Sequence, residues 1–255
     1  MDIVQIQGHI KEYDWGNSSF IPALLSQDED GKSKAELWFG THPNGDAKVV
    51  ETGQQLSEFL AQDSLHWFGQ EHLDCFGDQL PLLLKVLAID KPLSIQVHPT
   101  KAQAEEGWAK EELTRAHQKK ELWNYKDPNR KAEVIYALTP ITAMCGFRPL
   151  KQIIPVLKLL IPNGYAKHFG YLDTVQEDSD KLLAKLFEDL YTMQSEQLVQ
   201  LVDEYIASLK KHEELPFATG DGAFLESKGI VLSCYAAYPE DPGLFCPFIL
   251  HVKHL

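Results

Sequence analysis

The spacing of apolar residues divides the chain into segments of two kinds. Up to about residue 148, short apolar runs between turn signals predict strands, with one helix expected over residues 56–68 and an exposed one over 101–120. From residue 150 to about 212 apolar residues recur every 3.6 positions, as at Leu183, Leu186 and Leu190, which predicts helices. After residue 222 strand character returns, at residues 230–232 and 244–252.

This order of segments predicts a mainly β fold with an α-helical insertion. We expect a β-rich body over residues 1–148, a helical insertion domain over 149–222, and the return strands of the body over 223–255. The last residues, 248–255, are predicted as a strand in which the sequence stops. Most domains end instead in an exposed polar tail.

The sharpest local pattern is the predicted strand over residues 92–99. Side chains alternate across a strand, so three aliphatic residues face the core while Ser94, Gln96 and His98 share the opposite face. Three groups that can donate, accept or ligate suit the wall of a polar pocket. The solvated outer face of an antiparallel sheet has the same pattern, so this alternative stays open.

A second predicted strand, residues 131–138, carries Lys131 and Glu133 on one face. If that face opposes Gln96 and His98, one nitrogen and two oxygen ligands come together with a coordination position left open. Such a set suits zinc, and also manganese or iron. A surface Lys–Glu pair at the start of a strand is the alternative, and spacing alone does not choose between them.

Two further features suggest a small-molecule ligand: the first suggests an anion and the second a sugar. Lys85 stands inside the continuous apolar run 80–89, where a buried ammonium needs an anionic partner. That partner is either a phosphate-bearing ligand or a buried carboxylate, unless the side chain reaches solvent at the strand edge. Aromatic residues near turns, among them Trp15 and Trp38, form the floor of a sugar site or pack a core.

The composition narrows the classes of binding partner and the cellular compartment. The 24 basic and 37 acidic residues give a net charge of −13, which argues against binding to a nucleic-acid backbone and leaves a small anionic substrate open. The four cysteines lie far apart without a C-x-x-C pair, which predicts reduced, mostly buried thiols of a cytoplasmic protein. No apolar run is long enough to span a membrane, and the first residues lack the features of a signal peptide.

Taken together, these segments resemble type I mannose-6-phosphate isomerase (phosphomannose isomerase), a zinc enzyme of the cupin superfamily. The block Ser-Ile-Gln-Val-His-Pro over residues 94–99 is the most specific match, and it precedes the Lys-x-Glu block at 131–133 as it does in the family. The matching segments are residues 13–16, 35–43, 84–87, 92–99, 125–133 and 238–245.

The resemblance implies a cupin jelly roll with a helical domain, and one zinc ion per chain. It also implies interconversion of mannose 6-phosphate and fructose 6-phosphate through a cis-enediol by a cytoplasmic monomer, which supplies mannose for GDP-mannose synthesis. By their positions in the motifs, the implied site residues are the zinc ligands Gln96, His98 and Glu133, the substrate-binding Trp15, Lys85 and Ser94, and the catalytic Glu36 and Lys131.

The chain also departs from the family pattern. Arg130 stands where close bacterial relatives often carry His, and Ala132 where they carry Pro. The family's Pro-His-Ala-Tyr motif with the fourth zinc ligand, a catalytic arginine and a second jelly roll do not occur in this sequence. We therefore expect this chain to be truncated relative to the family and weakly active or inactive. Two alternatives stay open: a non-catalytic sugar-phosphate-binding cupin, and another metal-dependent cupin such as an iron oxygenase.

Overall fold

The structure is a computed structural model that describes residues 3–117, 119, 123–125, 127–174, 180–213 and 223–255. Its contacts form two compact units, Met1–Ser94 and Ile95–Leu255. The strands of the first unit are β1 Ile6–Gln7, β2 His9–Lys11, β3 Glu36–Phe39, β4 Thr41–His42, β5 Gly45–Asp46, β6 Lys48–Val49 and β7 Leu84–Leu87. Its helices are α1 Phe20–Leu24, α2 Leu56–Ala61, α3 Ser64–Phe68 and α4 Gln70–Phe76.

An antiparallel sheet of β2, β3 and β7 organises the first unit. Side chains alternate along β3, so Leu37 packs on one face against Ile21 and Ala88, while Glu36 and Trp38 lie on the other. In the register of the sheet Trp38 stands opposite Lys85. The sheet thus separates an apolar face from a face with charged and aromatic residues.

The helix predicted over residues 56–68 is present but divided into α2 and α3. Asp63 lies between the two, and its carboxylate accepts a hydrogen bond from the backbone N–H of His66 at 3.2 Å. A side chain that accepts from a free N–H of a first turn favours the start of a new helix, which is why the predicted helix is divided there.

The second unit is largely helical. Its helices are α5 Lys101–Glu112, α6 Leu150–Leu160, α7 Pro162–Gly164, α8 Asp180–Tyr191, α9 Ser195–Lys211, α10 Ala223–Ala237 and α11 Cys246–Ile249. Shorter 3-10 or π turns cover Arg115–His117, Tyr165–Phe169, Gly170–Thr174 and Pro242–Phe245, and the strands β8 Thr142–Phe147 and β9 Leu250–His254 form an antiparallel pair. Helix α5 ends before the predicted limit, and Lys120 lies outside the described residues.

The helices predicted between residues 150 and 212 are confirmed, because their apolar faces meet in one core. Leu157 of α6, Leu186 of α8 and Tyr205 of α9 are at most 1% exposed. Tyr205 stacks on Phe245 with ring centroids 4.5 Å apart, and its hydroxyl donates to the carbonyl of Leu244 at 3.3 Å. Helices of this length hold together through such shared burial rather than through propensity.

Two strand predictions near the end of the chain were wrong. Residues 230–232 belong to α10, where Val231 is fully buried in the helical core. Of residues 244–252 only the last three lie in a strand, because Pro242–Phe245 and Cys246–Ile249 are helical turns. Short apolar runs do not distinguish a buried helix from a buried strand, and packing decides. The predicted domain limit at residue 222 lies outside the described residues.

Residues 92–99 and 131–138 were also predicted as strands, and neither is one in the structure. No described strand pairs with either segment, and without a ladder of hydrogen bonds an extended segment is not part of a sheet. Val97, whose side chain was expected in the core, is 92% exposed, and Val134 in the second segment is 97% exposed. The fold is therefore not mainly β, since helices make up 48% of it and strands 15%.

The four cysteines are free thiols, as expected, but they are not mostly buried. Cys246 is buried and Cys234 half-buried, whereas Cys75 and Cys145 are exposed. Among the described residues, no helix has both the length and the hydropathy needed to cross a membrane.

Candidate functional site

In the first unit, Glu36, Trp38 and Lys85 form a cluster on the face of the sheet that carries charged and aromatic residues. The Trp38 indole N–H donates a hydrogen bond to Glu36 Oε2, and Lys85 Nζ lies 3.8 Å from the same oxygen. The Lys85 ammonium also lies 4.6 Å from the centroid of the Trp38 ring. The Lys85 side chain is 31% exposed and that of Glu36 only 12%. Lys85 is thus paired with a carboxylate, one of the two partners that the sequence allowed.

A second ammonium approaches the same indole. Lys11 Nζ lies 5.1 Å from the Trp38 ring centroid and donates to the carbonyl of Asn44 at 2.9 Å. Because Trp has the strongest π face of the aromatic residues, it attracts both cations. Two ammonium groups and the Glu36 carboxylate thus share this face of the sheet, which leaves a small local excess of positive charge in a chain whose net charge is strongly negative.

Trp15 lies in a turn that fixes the start of the segment leading to Ser94. Its carbonyl accepts hydrogen bonds from the backbone N–H groups of Asp90 and Lys91, at 2.9 and 3.2 Å. Its indole is half-buried and stacks on the Tyr13 ring, with centroids 5.8 Å apart. Burial, and secondarily the Glu36 charge, raises the pKa of the Tyr13 hydroxyl above its usual 10, so this phenol stays protonated at neutral pH. Ser94 is exposed.

In the second unit, two of the three predicted metal ligands meet. His98 Nε2 lies 3.0 Å from Glu133 Oε2, across 35 residues of sequence. The His98 side chain is 27% exposed and that of Glu133 59% exposed, so solvent reaches the pair. Gln96 and Lys131 are exposed. Within the described ranges no three His, Cys, Asp or Glu side chains form a cluster, and the three-ligand set with Gln96 stays a prediction.

The His98–Glu133 pair fits a metal ion by its spacing and its donor atoms. Two ligand atoms bound at about 2.1 Å from a tetrahedral zinc ion lie roughly 3.4 Å apart. The observed 3.0 Å separation would have to open by only a few tenths of an ångström to admit the ion. An imidazole nitrogen and a carboxylate oxygen are ligands that zinc accepts.

The sequence marked Trp38 only as an aromatic residue of a sugar site or a core, and did not identify it as a partner of Glu36 and Lys85. The signal was available: Trp38 lies two positions after Glu36 in a strand, so the two share a face. What sequence could not show is the register that puts Lys85 opposite Trp38, because strand pairing is set by long-range packing.

Comparison with family models identifies both parts of the chain. Residues 3–150 match the model of phosphomannose isomerase type I, catalytic domain, and residues 160–250 match the helical insertion domain of the same enzyme type. The first match covers more than half of the chain.

Individual proteins agree with the family models. The mannose-6-phosphate isomerases of Escherichia coli and Homo sapiens are 31% and 34% identical to this chain, over 96% of its length in both cases. The apo crystal structure of mannose 6-phosphate isomerase from Salmonella typhimurium superposes with a TM-score of 0.82 at 30% identity, over 98% of this chain. A mannose 6-phosphate isomerase bound with zinc and yttrium also matches with a TM-score of 0.82. The chain spans about 60% of the length of these relatives.

Proposed function

The chain belongs to the type I phosphomannose isomerase family, and from this we propose that it serves the zinc-dependent interconversion of mannose 6-phosphate and fructose 6-phosphate. The observation that carries the proposal is the His98–Glu133 pair, two potential zinc ligands from distant parts of the sequence at hydrogen-bond distance. Relatives from bacteria and mammals bear the name of this isomerase, and one solved relative was bound with zinc.

We assign zinc binding to His98 and Glu133, with Gln96 as a third ligand. Bound there, one zinc ion per chain would supply a Lewis acid that stabilises negative charge on substrate oxygens. The imidazole and the carboxylate hold one another in place before any ligand arrives, and this lowers the cost of ordering them on binding. The pair is open to solvent on the Glu133 side, so ligands have access to it.

Phosphate binding falls to Lys85 and Ser94 in this proposal. The Lys85 ammonium faces the Glu36 carboxylate at 3.8 Å, a distance longer than a hydrogen bond, and about a third of its side chain is exposed. A phosphate dianion would compete with Glu36 for this ammonium and would accept a hydrogen bond from the Ser94 hydroxyl. Trp15 adds an aromatic surface against which a sugar can pack.

The reaction moves one proton between C2 and C1 of the sugar through a cis-enediol. A base must take the proton from one carbon and an acid must return it to the other, and we assign this acid–base chemistry to Glu36 and Lys131. The Glu36 carboxylate is oriented by the Trp38 indole N–H and is largely shielded from water, whereas Lys131 is exposed. Release of Lys85 to a phosphate would leave Glu36 Oε2 without this nearby cation.

The finer features of the proposal follow the family. We propose that the β segments belong to a cupin jelly roll, and that the domains are residues 1–148, 149–222 and 223–255. The protein would act in the cytoplasm as a monomer. Four free thiols, two of them exposed, support a reducing compartment. The negative net charge supports a partner that is a small molecule rather than a nucleic acid.

The zinc assignment is tested by thermal or urea unfolding of the 255-residue chain with and without zinc. At a zinc concentration 100 times the dissociation constant, linkage raises the free energy of unfolding by about 2.7 kcal/mol. We expect His98→Ala to remove this gain and His251→Ala, in β9, to keep it. Absence of the gain in the unmodified chain would contradict the zinc assignment.

Turnover is measured with fructose 6-phosphate as substrate in a coupled assay for mannose 6-phosphate. We expect slow conversion, because His98 and Glu133 lie on segments that no described strand supports. Turnover typical of the family would refute this expectation, and Lys85→Ala should then raise KM. Binding of fructose 6-phosphate without any conversion would favour a sugar-phosphate-binding module. Iron binding with oxygen consumption would favour an oxygenase.

A further inference from the structure

Helix α5 begins immediately after the segment that carries His98. Thr100 caps it: the hydroxyl accepts a hydrogen bond from the backbone N–H of Gln103 at 3.3 Å, while the Gln103 side chain accepts one from the backbone N–H of Thr100 at 3.0 Å. This capping box fixes the direction in which the chain enters the helix. His98 is therefore attached to a rigid element within two residues.

The loop that leads to Glu133 is bound to the far end of the same helix. Glu111 Oε1 accepts hydrogen bonds from the backbone N–H and the side-chain amide of Asn124, at 3.0 and 2.8 Å. Its Oε2 accepts one from the backbone N–H of Tyr125 at 3.0 Å. These contacts, foremost the one with the Tyr125 N–H, hold the pKa of Glu111 below its usual range. A carboxylate with three donors is a firm anchor for a loop.

The Tyr125 ring lies directly on the backbone of α5 at Gly107. A Cβ atom at position 107 would overlap the ring, so any other residue there would displace Tyr125. Arg115, which follows α5, also holds this loop, since it donates to the Tyr125 carbonyl at 2.7 Å. Its guanidinium lies 3.6 Å from the centroid of the Trp108 ring. The N–H and the C=O of Tyr125 are thus both bound to one helical platform.

A third contact lies closer to Glu133 in sequence. Lys101, in the first turn of α5, donates to the carbonyl of Pro128 and to the side-chain oxygen of Asn129, both at 3.1 Å. Three residues separate Asn129 from Glu133. The loop is consequently fixed to both ends of the helix, and its last fixed point is adjacent to the segment that carries the carboxylate.

From these contacts we propose that α5 sets the distance between His98 and Glu133, with Gly107 and Glu111 as positioning residues. This inference rests on the proposed function only where it concerns zinc. The geometry of the pair in the metal-free protein depends on α5 in any case. Neither Gly107 nor Glu111 contacts the pair, so both act through Asn124 and Tyr125.

The first experiment compares Glu111→Gln with Glu106→Gln in the metal-free chain. Glu106 lies on the same helix and is bonded to Lys110 at the surface, without a described contact to the loop, which makes it a matched control. A glutamine at 111 presents an N–H₂ group to at least one of the three donors. We expect the NMR resonance of the His98 ring to shift toward its position in Glu133→Gln for the variant at 111, and to stay unchanged for the one at 106.

The second experiment measures the zinc dissociation constant by competition with a chelating dye. We expect Glu111→Gln to weaken zinc binding by about 10-fold or more, the effect seen when groups that orient metal ligands are removed. Glu106→Gln should stay within about twofold of the unmodified chain. Far-UV circular dichroism of the variants should be unchanged, which separates misplacement of the pair from loss of the helix.

A double-mutant cycle tests Gly107. Gly107→Ala should shift the His98 resonance and weaken zinc binding, whereas Tyr125→Phe, which keeps the ring, should do neither. Gly107→Ala combined with Tyr125→Ser removes the overlap, so the combined effect should be smaller than the sum of the single effects.

The outcomes separate the two proposals. If the unmodified chain binds no zinc but the His98 resonance responds to Glu111→Gln, the zinc assignment fails and the positioning role stands. If zinc binds and neither the resonance nor the dissociation constant responds to the variants at 107 and 111, the positioning role is overturned.

Discussion

The hydrogen bond from Trp38 to Glu36 offers a sharp test of the cluster in the first unit. The substitution Trp38→Phe keeps an aromatic face for the two lysines but deletes the indole N–H. Hydrogen bonds to charged groups contribute about 1.5–3 kcal/mol. Competition from water reduces this contribution only slightly, because Trp38 is 7% exposed and the Glu36 side chain 12% exposed. We therefore expect the bond itself to contribute about 2 kcal/mol.

Trp38→Phe also leaves a small cavity, so the bond is isolated in a double-mutant cycle with Glu36→Ala, which removes the acceptor. The assay is amide hydrogen exchange of peptides covering Glu36–Phe39 and Leu84–Leu87, which reports the free energy of opening of this sheet. A loss of about 2 kcal/mol accelerates exchange by about 30-fold.

Trp67→Phe is the matched control, because the Trp67 indole packs against Phe59 without a hydrogen bond to any described residue. We expect it to change exchange in the sheet by less than about threefold, since Trp67 lies outside the three strands. A coupling energy near zero between the substitutions at 36 and 38 would refute the reasoning, and so would an equal effect of Trp38→Phe and Trp67→Phe.

Two other predictions concern ionisation. Hydrogen bonds from the Lys34 ammonium lower the pKa of Glu12 and of Asp30 below their usual 4.5 and 3.8, so their contribution to stability is complete above those values and is lost as the pH falls through the lower folded-state values. Urea unfolding as a function of pH should accordingly show a steeper loss below about pH 4.5 for the unmodified chain than for Lys34→Met, and identical slopes would contradict the ion-pair assignment. Burial raises the pKa of the Cys246 thiol to about 11, so at pH 8 iodoacetamide should modify the exposed Cys75 promptly and Cys246 only after unfolding, as peptide mapping would show. Equal rates for both thiols in the folded protein would refute the packing around Cys246.

The helices were predictable from sequence because their signal is local. Leu183, Leu186 and Leu190 repeat on one face of α8, and that face packs in the core. Strands were less predictable, since a strand exists only when a distant segment pairs with it. The strand predicted over residues 248–255 is confirmed as β9, which pairs with β8. Residues 92–99 have the alternation of a strand and remain unpaired among the described residues.

The candidate site shows the same limit. His98 and Glu133 lie close together, one of the two arrangements that the sequence left open, but not because two strands lie side by side. In our proposal, α5 and the loop bound to it at Glu111 hold the two side chains near each other. That route depends on a glycine that accepts a tyrosine ring, a contact between residues 18 apart that no periodicity reveals. Likewise, the sequence did not decide which group pairs with Lys85. The register of the sheet places Lys85 beside Glu36 and Trp38.

The exposed segment around Val134 has a consequence for how the chain behaves in concentrated solution. Residues 134–139 are six consecutive residues without a charge or a proline, and both Val134 and Tyr136 are at least 85% exposed. Such a stretch is a template for cross-β stacking between molecules, and charge repulsion is what opposes it. The net charge of −13 supplies that repulsion at neutral pH. Near the isoelectric point of about 5.2, or in high salt, the repulsion vanishes or is screened. Colloidal stability of this protein is therefore governed by pH and ionic strength, and light scattering should rise under these conditions while the helical core stays folded.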